Sequence, residues 1–154
     1  TEKQTFLTPE GLERLQAELE YLRTVRRRQV AEHIRSAKED GDISENAGYE
    51  EAKKEQAFVE GRILTLENML RHAVIIEDKG PTDTVRLGSR VTIEDEEGNQ
   101  ETYHIVGSAE ANPSQGTISN ESPLGRALMG KSTGEQVTVE SPAGPWQVRI
   151  VRIQ

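Results

Sequence analysis

The sequence predicts a two-part protein: an antiparallel coiled-coil helical hairpin followed by a small α+β domain with an antiparallel sheet and one short helix. Three observations carry this. Leucines repeat at heptad spacing over the first seventy residues, in two stretches separated by a glycine-containing acidic turn. From about Asp78 the periodicity changes to the alternation of short strands. The composition is lean, 33% hydrophobic and 4% aromatic against 30% charged, which suits a long solvated element joined to a small globule.

The first helix opens at "LTPEG", where Thr8 is suited to the N-cap and Pro9 to the first helical position. Leu12, Leu15, Leu19 and Leu22 follow at spacings of three, four and three, and the stripe resumes at Val30, Ile34 and Ala37. Arg26 occupies the slot between, which predicts looser or wetter packing midway. The second helix repeats without interruption through Ala52, Gln56, Val59, Ile63, Leu66 and Leu70. Antiparallel pairing of the two stripes centres near Asp42, and ~30 residues per helix give an arm of ~45 Å.

Beyond the "KGPTD" linker, Val91 and Ile93 open a strand, "EDEEGNQE" makes a turn, and "TYHIV" returns. A short strand is expected at Thr117–Ser119. A brief helix should follow, with Ser122 as N-cap, Pro123 at its first position and Gly130 at its end. "EQVTVES" and "WQVRIVRI" close the sheet around a "PAGP" turn. The expected domains are residues 1–77 and 78–154.

Charge and composition exclude several function classes. A net charge of −8 argues against a generic grip on nucleic acid through phosphate neutralisation. Without cysteine there is no disulfide, thiolate metal site or cysteine nucleophile, which fits a reducing cytoplasm. No apolar run approaches the ~20 residues of a membrane span, so no membrane is expected as a partner. His33, His72 and His104 stand in different settings, and no GxSxG elbow, P-loop or Rossmann glycine pattern is present.

The acidic turn, "EDGDISENAGYEE" from Glu39 to Glu51, admits two readings. Asp42 and Glu45 have the spacing of a capping box, with Gly41 ending the first helix. The same two carboxylates could share a hard cation, since Mg²⁺ commonly takes one or two protein carboxylates and completes its shell with water or phosphate. Two ligands cannot make a strong site alone, so the remaining ligands would come from a partner. Arg23, Arg26, Arg27 and Arg28 likewise read either as a solvated face paired with glutamates or as a local phosphate track. Lys38 and Lys53 fall on opposite arms near the turn.

"GDISENAGYEEAKKEQAFVEGRI" resembles the signature of the Gre transcript-cleavage factors, and "LTPEGLERLQAELEYL" and "ISNESPLGRALMGKSTGEQVTV" extend that resemblance over nearly the whole chain. The resemblance implies an FKBP-like C-terminal domain and bacterial RNA polymerase as partner. The coiled coil would enter the secondary channel and stimulate the polymerase's own cleavage of backtracked RNA. The factor would be an accessory protein, a monomer, and not itself a nuclease. Carried over by motif, Asp42 and Glu45 match the acids that help hold a second Mg²⁺ and its attacking water. Asn46 and Tyr49 would support the tip, Lys38 and Lys53 would face the nascent RNA 3′ end, and Ser122 and Pro123 would grip the polymerase.

Gly48, Glu50 and Glu51 depart from the family's usual residues without removing a tip ligand. Gre-like relatives that occupy the channel and inhibit remain an alternative. Prolyl isomerase activity is disfavoured because Trp146 and Tyr103 supply too few aromatics for a proline pocket. The free protein is expected not to bind Mg²⁺ tightly.

Overall fold

The computed structural model describes residues 3–39, 47–77, 80 and 82–154. The chain divides into two compact units, Leu12–His72 and Thr1–Gly11 with Ala73–Gln154. The expected boundary at residue 77 therefore differs from the packing, because both ends of the helical region contribute short strands to the globular unit.

In the helical unit, α1 (Pro9–Tyr21) runs through a π turn at Leu22–Arg26 into α2 (Arg27–Glu39), and α3 is Ala47–Arg71. The expected stripe is the buried one: Leu15, Leu19, Leu22, Val30 and Ala37 face Ala52, Val59, Ile63 and Leu66, all of them less than a tenth exposed. Ile34, Gln56 and Leu70 are half-buried. The arms are antiparallel, as cross-helix pairs such as Glu18–Arg62 and Arg26–Glu55 require. The first arm, helical from Pro9 to Glu39, rises about 45 Å as the periodicity predicts, and the 25 residues of α3 rise about 37 Å. Past α3 the chain turns into the strand Ala73–Ile75.

The globular unit contains β1 (Thr5–Leu7), β2 (Ala73–Ile75), β3 (Arg90–Asp95), β4 (Gln100–Val106), β5 (Thr117–Ser119), α4 (Pro123–Leu128), β6 (Gln136–Val139) and β7 (Trp146–Ile153). β1 and β2 form a parallel pair, Thr5 opposite Ala73 and Leu7 opposite Ile75. The five remaining strands lie in the order β5-β4-β3-β7-β6. β3, β4, β6 and β7 are antiparallel as the sequence predicts. β5 is parallel to β4, so the sheet is mixed. Ten residues containing a 3-10 turn at Pro113–Gln115 separate these two strands, long enough for a crossover where a two-residue hairpin would force antiparallel pairing.

The core is Val91 and Ile93 of β3, Ile105 of β4, Ile118 of β5, Val137 and Val139 of β6, and Val148, Ile150 and Ile153 of β7, closed by Leu128 of α4 and Val85. Alternation on β7 breaks after Ile150. Ile93 pairs with Ile150 but Thr92 pairs with Arg152, so Val151 is the extra residue of a β-bulge, and Ile153 returns to the core side. The β3–β4 turn has Gly98 at φ +87°, and Asp95 Oδ1 accepts from the N–H groups of Glu97 and Asn99, each at 2.9 Å. Those bonds hold its carboxyl below the usual range.

Candidate functional site at the arm ends and the α4 loop

Asp42, Glu45 and Asn46 lie outside the described residues, as do Asp40 and Gly41. The arms that lead to them are described. Lys38 is in the last turn of α2 and Lys53 in the second turn of α3, both exposed. They stand on opposite arms, as expected. Lys53 Nζ donates to Gln56 Oε1 at 2.9 Å, one turn along the same helix. Tyr49 is half-buried in the first turn of α3, with Glu50 and Glu51 exposed beside it.

The arginine cluster has a specific use that decides between its two readings. Arg23 reaches Glu67 at 2.8 Å, Arg26 reaches Glu55, and Arg27 grips both oxygens of Glu60 at 2.9 and 2.8 Å. On the same hairpin Arg62 holds Glu18 through bonds of 2.7 and 2.8 Å. Three of the four clustered arginines are thus committed to carboxylates of α3, which favours the paired face over a phosphate track. Hydrogen bonds from Arg62, Arg26 and Arg27 lower the pKa values of Glu18, Glu55 and Glu60 respectively.

In the globular unit, Ser122 and Pro123 behave as the sequence predicts. Ser122 is the N-cap of α4: its Oγ accepts from Gly125 N–H at 3.0 Å and donates to Ser119 C=O at 2.7 Å. Pro123 occupies the first turn, exposed. Gly130 ends the segment at φ +80°. The preceding loop is tied at its surface. Glu121 meets Lys3 at 2.8 Å and accepts from Ser108 Oγ at 2.9 Å, and the Lys3 hydrogen bond is the main cause of its lowered pKa.

Two features were not anticipated. Glu110 caps the start of α1 from far along the chain. Its carboxylate accepts from Thr8 N–H at 2.6 Å and Thr8 Oγ1 at 2.7 Å, while Thr8 Oγ1 caps Gly11 N–H at 3.0 Å. The Thr8 cap was legible, but no local signal identifies a partner a hundred residues away. The second feature is a cleft of about 370 Å³ lined by Thr8, Ile75, Ile76, Glu77, Arg90 and His104 among others. Burial, then the nearby Arg90 charge, depresses the His104 pKa.

Two family models cover this chain: "Transcription elongation factor, N-terminal" over residues 5–75 and "Transcription elongation factor, GreA/GreB, C-term" over residues 80–154. The chain belongs to the GreA/GreB family of transcription elongation factors. Transcription elongation factor GreA of Bacillus subtilis (strain 168) is 54% identical over 153 residues, covering 99% of this chain and 98% of the relative. GreA of Chloroflexus aggregans is 55% identical over 156 residues, covering 100% and 99%. Among solved structures, GreA factor homolog 1 (Gfh1) of Thermus thermophilus is 35% identical and covers 99% of each chain, with a TM-score of 0.46.

The assignment of this GreA/GreB-family chain agrees with the resemblance read from the tip and α4 motifs. The boundary between the matched segments, residues 75 to 80, falls just after β2. Among the described residues no helix is long and apolar enough to cross a membrane.

Proposed function

We propose that this chain acts on RNA polymerase, entering its secondary channel with the helical hairpin and stimulating the polymerase's own endonucleolytic cleavage of backtracked nascent RNA. The observation that carries the reading is the placement of "GDISENAGY" between two antiparallel arms, in a chain more than half identical end to end to transcription elongation factors named GreA. In the sequence the acids at residues 42 and 45 fall between the end of α2 at Glu39 and the start of α3 at Ala47.

Asp42 and Glu45 are hard oxygen donors, and two carboxylates suit Mg²⁺, which keeps its remaining positions for water and phosphate. They would hold the ion jointly with polymerase. When bound, it supplies charge stabilisation at the reacting oxygens and activates water. Asn46 and Tyr49 support the turn. Lys38 and Lys53, exposed on facing arms, attract the phosphates of the extruded RNA 3′ end. Ser122 and Pro123 present the α4 loop to the polymerase surface. In this reading the protein is a cytoplasmic monomer that completes another enzyme's site and cleaves nothing alone.

The test is a stalled, backtracked elongation complex carrying 5′-labelled RNA. Addition of the protein should shorten the RNA and restore extension after nucleotides are supplied. RNA that stays full-length while nucleotide addition is blocked would overturn the proposal in favour of an inhibitory channel binder.

A further inference from the structure

The buried stripe of the first arm does not keep one period. Leu15 to Leu22 is seven residues, Leu22 to Val30 is eight, and Val30 to Ala37 is seven. One extra residue in an α-helix turns everything beyond it by about 100°, which would swing Val30 and Ala37 off the seam. The π turn at Leu22–Arg26 absorbs that residue, closed by Arg27 N–H donating to Leu22 C=O. Without it, the positions continuing the leucine repeat would be Arg26, Gln29, His33 and Ser36, all polar.

The absorbed residue has a second consequence. A single seam position between Leu22 and Val30 is shared by Arg26 and Arg27, which engage different partners: Arg26 takes Glu55 and Arg27 takes Glu60. Arg26 also donates to Gln29 Oε1 at 2.6 Å, and His33 Nδ1 lies 3.3 Å from the second oxygen of Glu55. The apolar seam is therefore flanked by a polar band. On the base side Leu15, Leu19, Leu22, Ile63 and Leu66 are buried. Val59 stays buried at the level of the band itself, and beyond it on the tip side the buried set shrinks to Val30, Ala37 and Ala52, a few small side chains with little area to hold two helices together.

We propose that Arg26 and Glu55, set in place by the π turn, are positioning residues for the acidic turn. They hold the tip-ward segments Val30–Glu39 and Ala47–Ala52 in register where hydrophobic burial is thin. Arg26 and Glu55 are each only about a quarter exposed, so their attraction is less screened than that of a fully solvated pair. The effect on cleavage rests on the function proposed above; the effect on the arms does not.

The test uses the full chain with Arg26→Gln, Glu55→Gln, and the charge-exchanged double variant Arg26→Glu with Glu55→Arg. In either single variant, amide hydrogen exchange in residues 30–39 and 47–54 should quicken about twofold to fivefold, the range of a partly exposed ion pair. Residues 12–21 and 59–70 should keep their protection. With polymerase, the maximal cleavage rate should fall while the protein concentration giving half-maximal stimulation stays constant. The exchanged pair should recover both readouts.

Unchanged exchange in the tip-ward segments of Arg26→Gln, or a uniform increase along both arms, would overturn the proposal. If the parent protein stimulates no cleavage, the function reading fails, and the exchange measurement still decides the positioning role on its own.

Discussion

Gly125 of α4 lies directly against the end of β5. A Cβ added there would lie 2.0 Å from Ser119 O, 2.9 Å from Ser119 C and 3.0 Å from Asn120 Cα. All three are backbone atoms, so no side-chain rotation relieves the overlap. Ordinary separation of carbon from its neighbours is about 3.5 Å, so Gly125→Ala requires α4 or residues 119–120 to shift by about 1.5 Å. Overpacking of this kind costs about 1–3 kcal/mol. The same shift loosens the Gly125 N–H to Ser122 Oγ cap, adding about 1 kcal/mol. Alanine's better helix propensity returns up to about 1 kcal/mol. The net loss is about 2 kcal/mol, which lowers the melting temperature of a domain this size by about 8–16 °C. Thermal unfolding followed by the fluorescence of Trp146, the one tryptophan and a β7 residue, reads it directly. A melting temperature within about 2 °C of the parent would refute the packing reasoning. Under the role proposed for Ser122 and Pro123, the variant should also bind polymerase more weakly at temperatures where it remains folded.

The contrasting glycine is Gly61 on α3, where an added Cβ meets nothing within 4 Å; Gly61→Ala should stabilise the hairpin by about 1 kcal/mol in urea unfolding, and a destabilised variant would contradict the open surface described there. Acid should loosen the hairpin for a definite reason. Glu18, Glu55 and Glu60 have depressed folded pKa values, so their contribution is present above the unfolded glutamate value of about 4.3 and is lost as pH falls below it. Far-ultraviolet circular dichroism from pH 5 downwards should show helix loss that is smaller in Glu60→Gln, and an equal loss in that variant counts against the pairing. Tyr103 donates to the Glu101 carboxylate, and that bond, aided by burial, raises its pKa to about 12. Its contribution is full below about pH 10 and disappears as pH rises through about 12. Tyrosinate absorbance should show one of the three tyrosines ionising late, and Tyr103→Phe should remove that step.

Features governed by local patterning were legible in the sequence. The leucine stripes, the Thr8 and Ser122 caps, the Gly98 turn and the Thr117–Ser119 strand each follow from neighbouring residues, and each is found in place. What escaped depends on distant partners or on one-residue irregularities. Ala73–Ile75 looks like the end of a helix until β1 lies beside it. The parallel direction of β5 is a property of the crossover, not of the strand. In the sequence Arg26 reads as a defect in the seam, and nothing there marks Arg27 as sharing its position. That the arginines pair with the facing helix is one of the two readings the sequence offers; which carboxylates they take, Glu55, Glu60 and Glu67, depends on the register of the arms. The central motif, Asp42 to Asn46, was read from sequence through a family resemblance; the capping-box and metal-holding roles both fit its spacing and are not mutually exclusive.

The most direct test of the central claim is cleavage by a double variant, Asp42→Ala with Glu45→Ala, on a backtracked elongation complex, measured beside polymerase binding in the same buffer. The account predicts that RNA shortening falls to the rate of polymerase alone while binding affinity stays within about twofold of the parent. Cleavage at the parent rate with both carboxylates gone would contradict it.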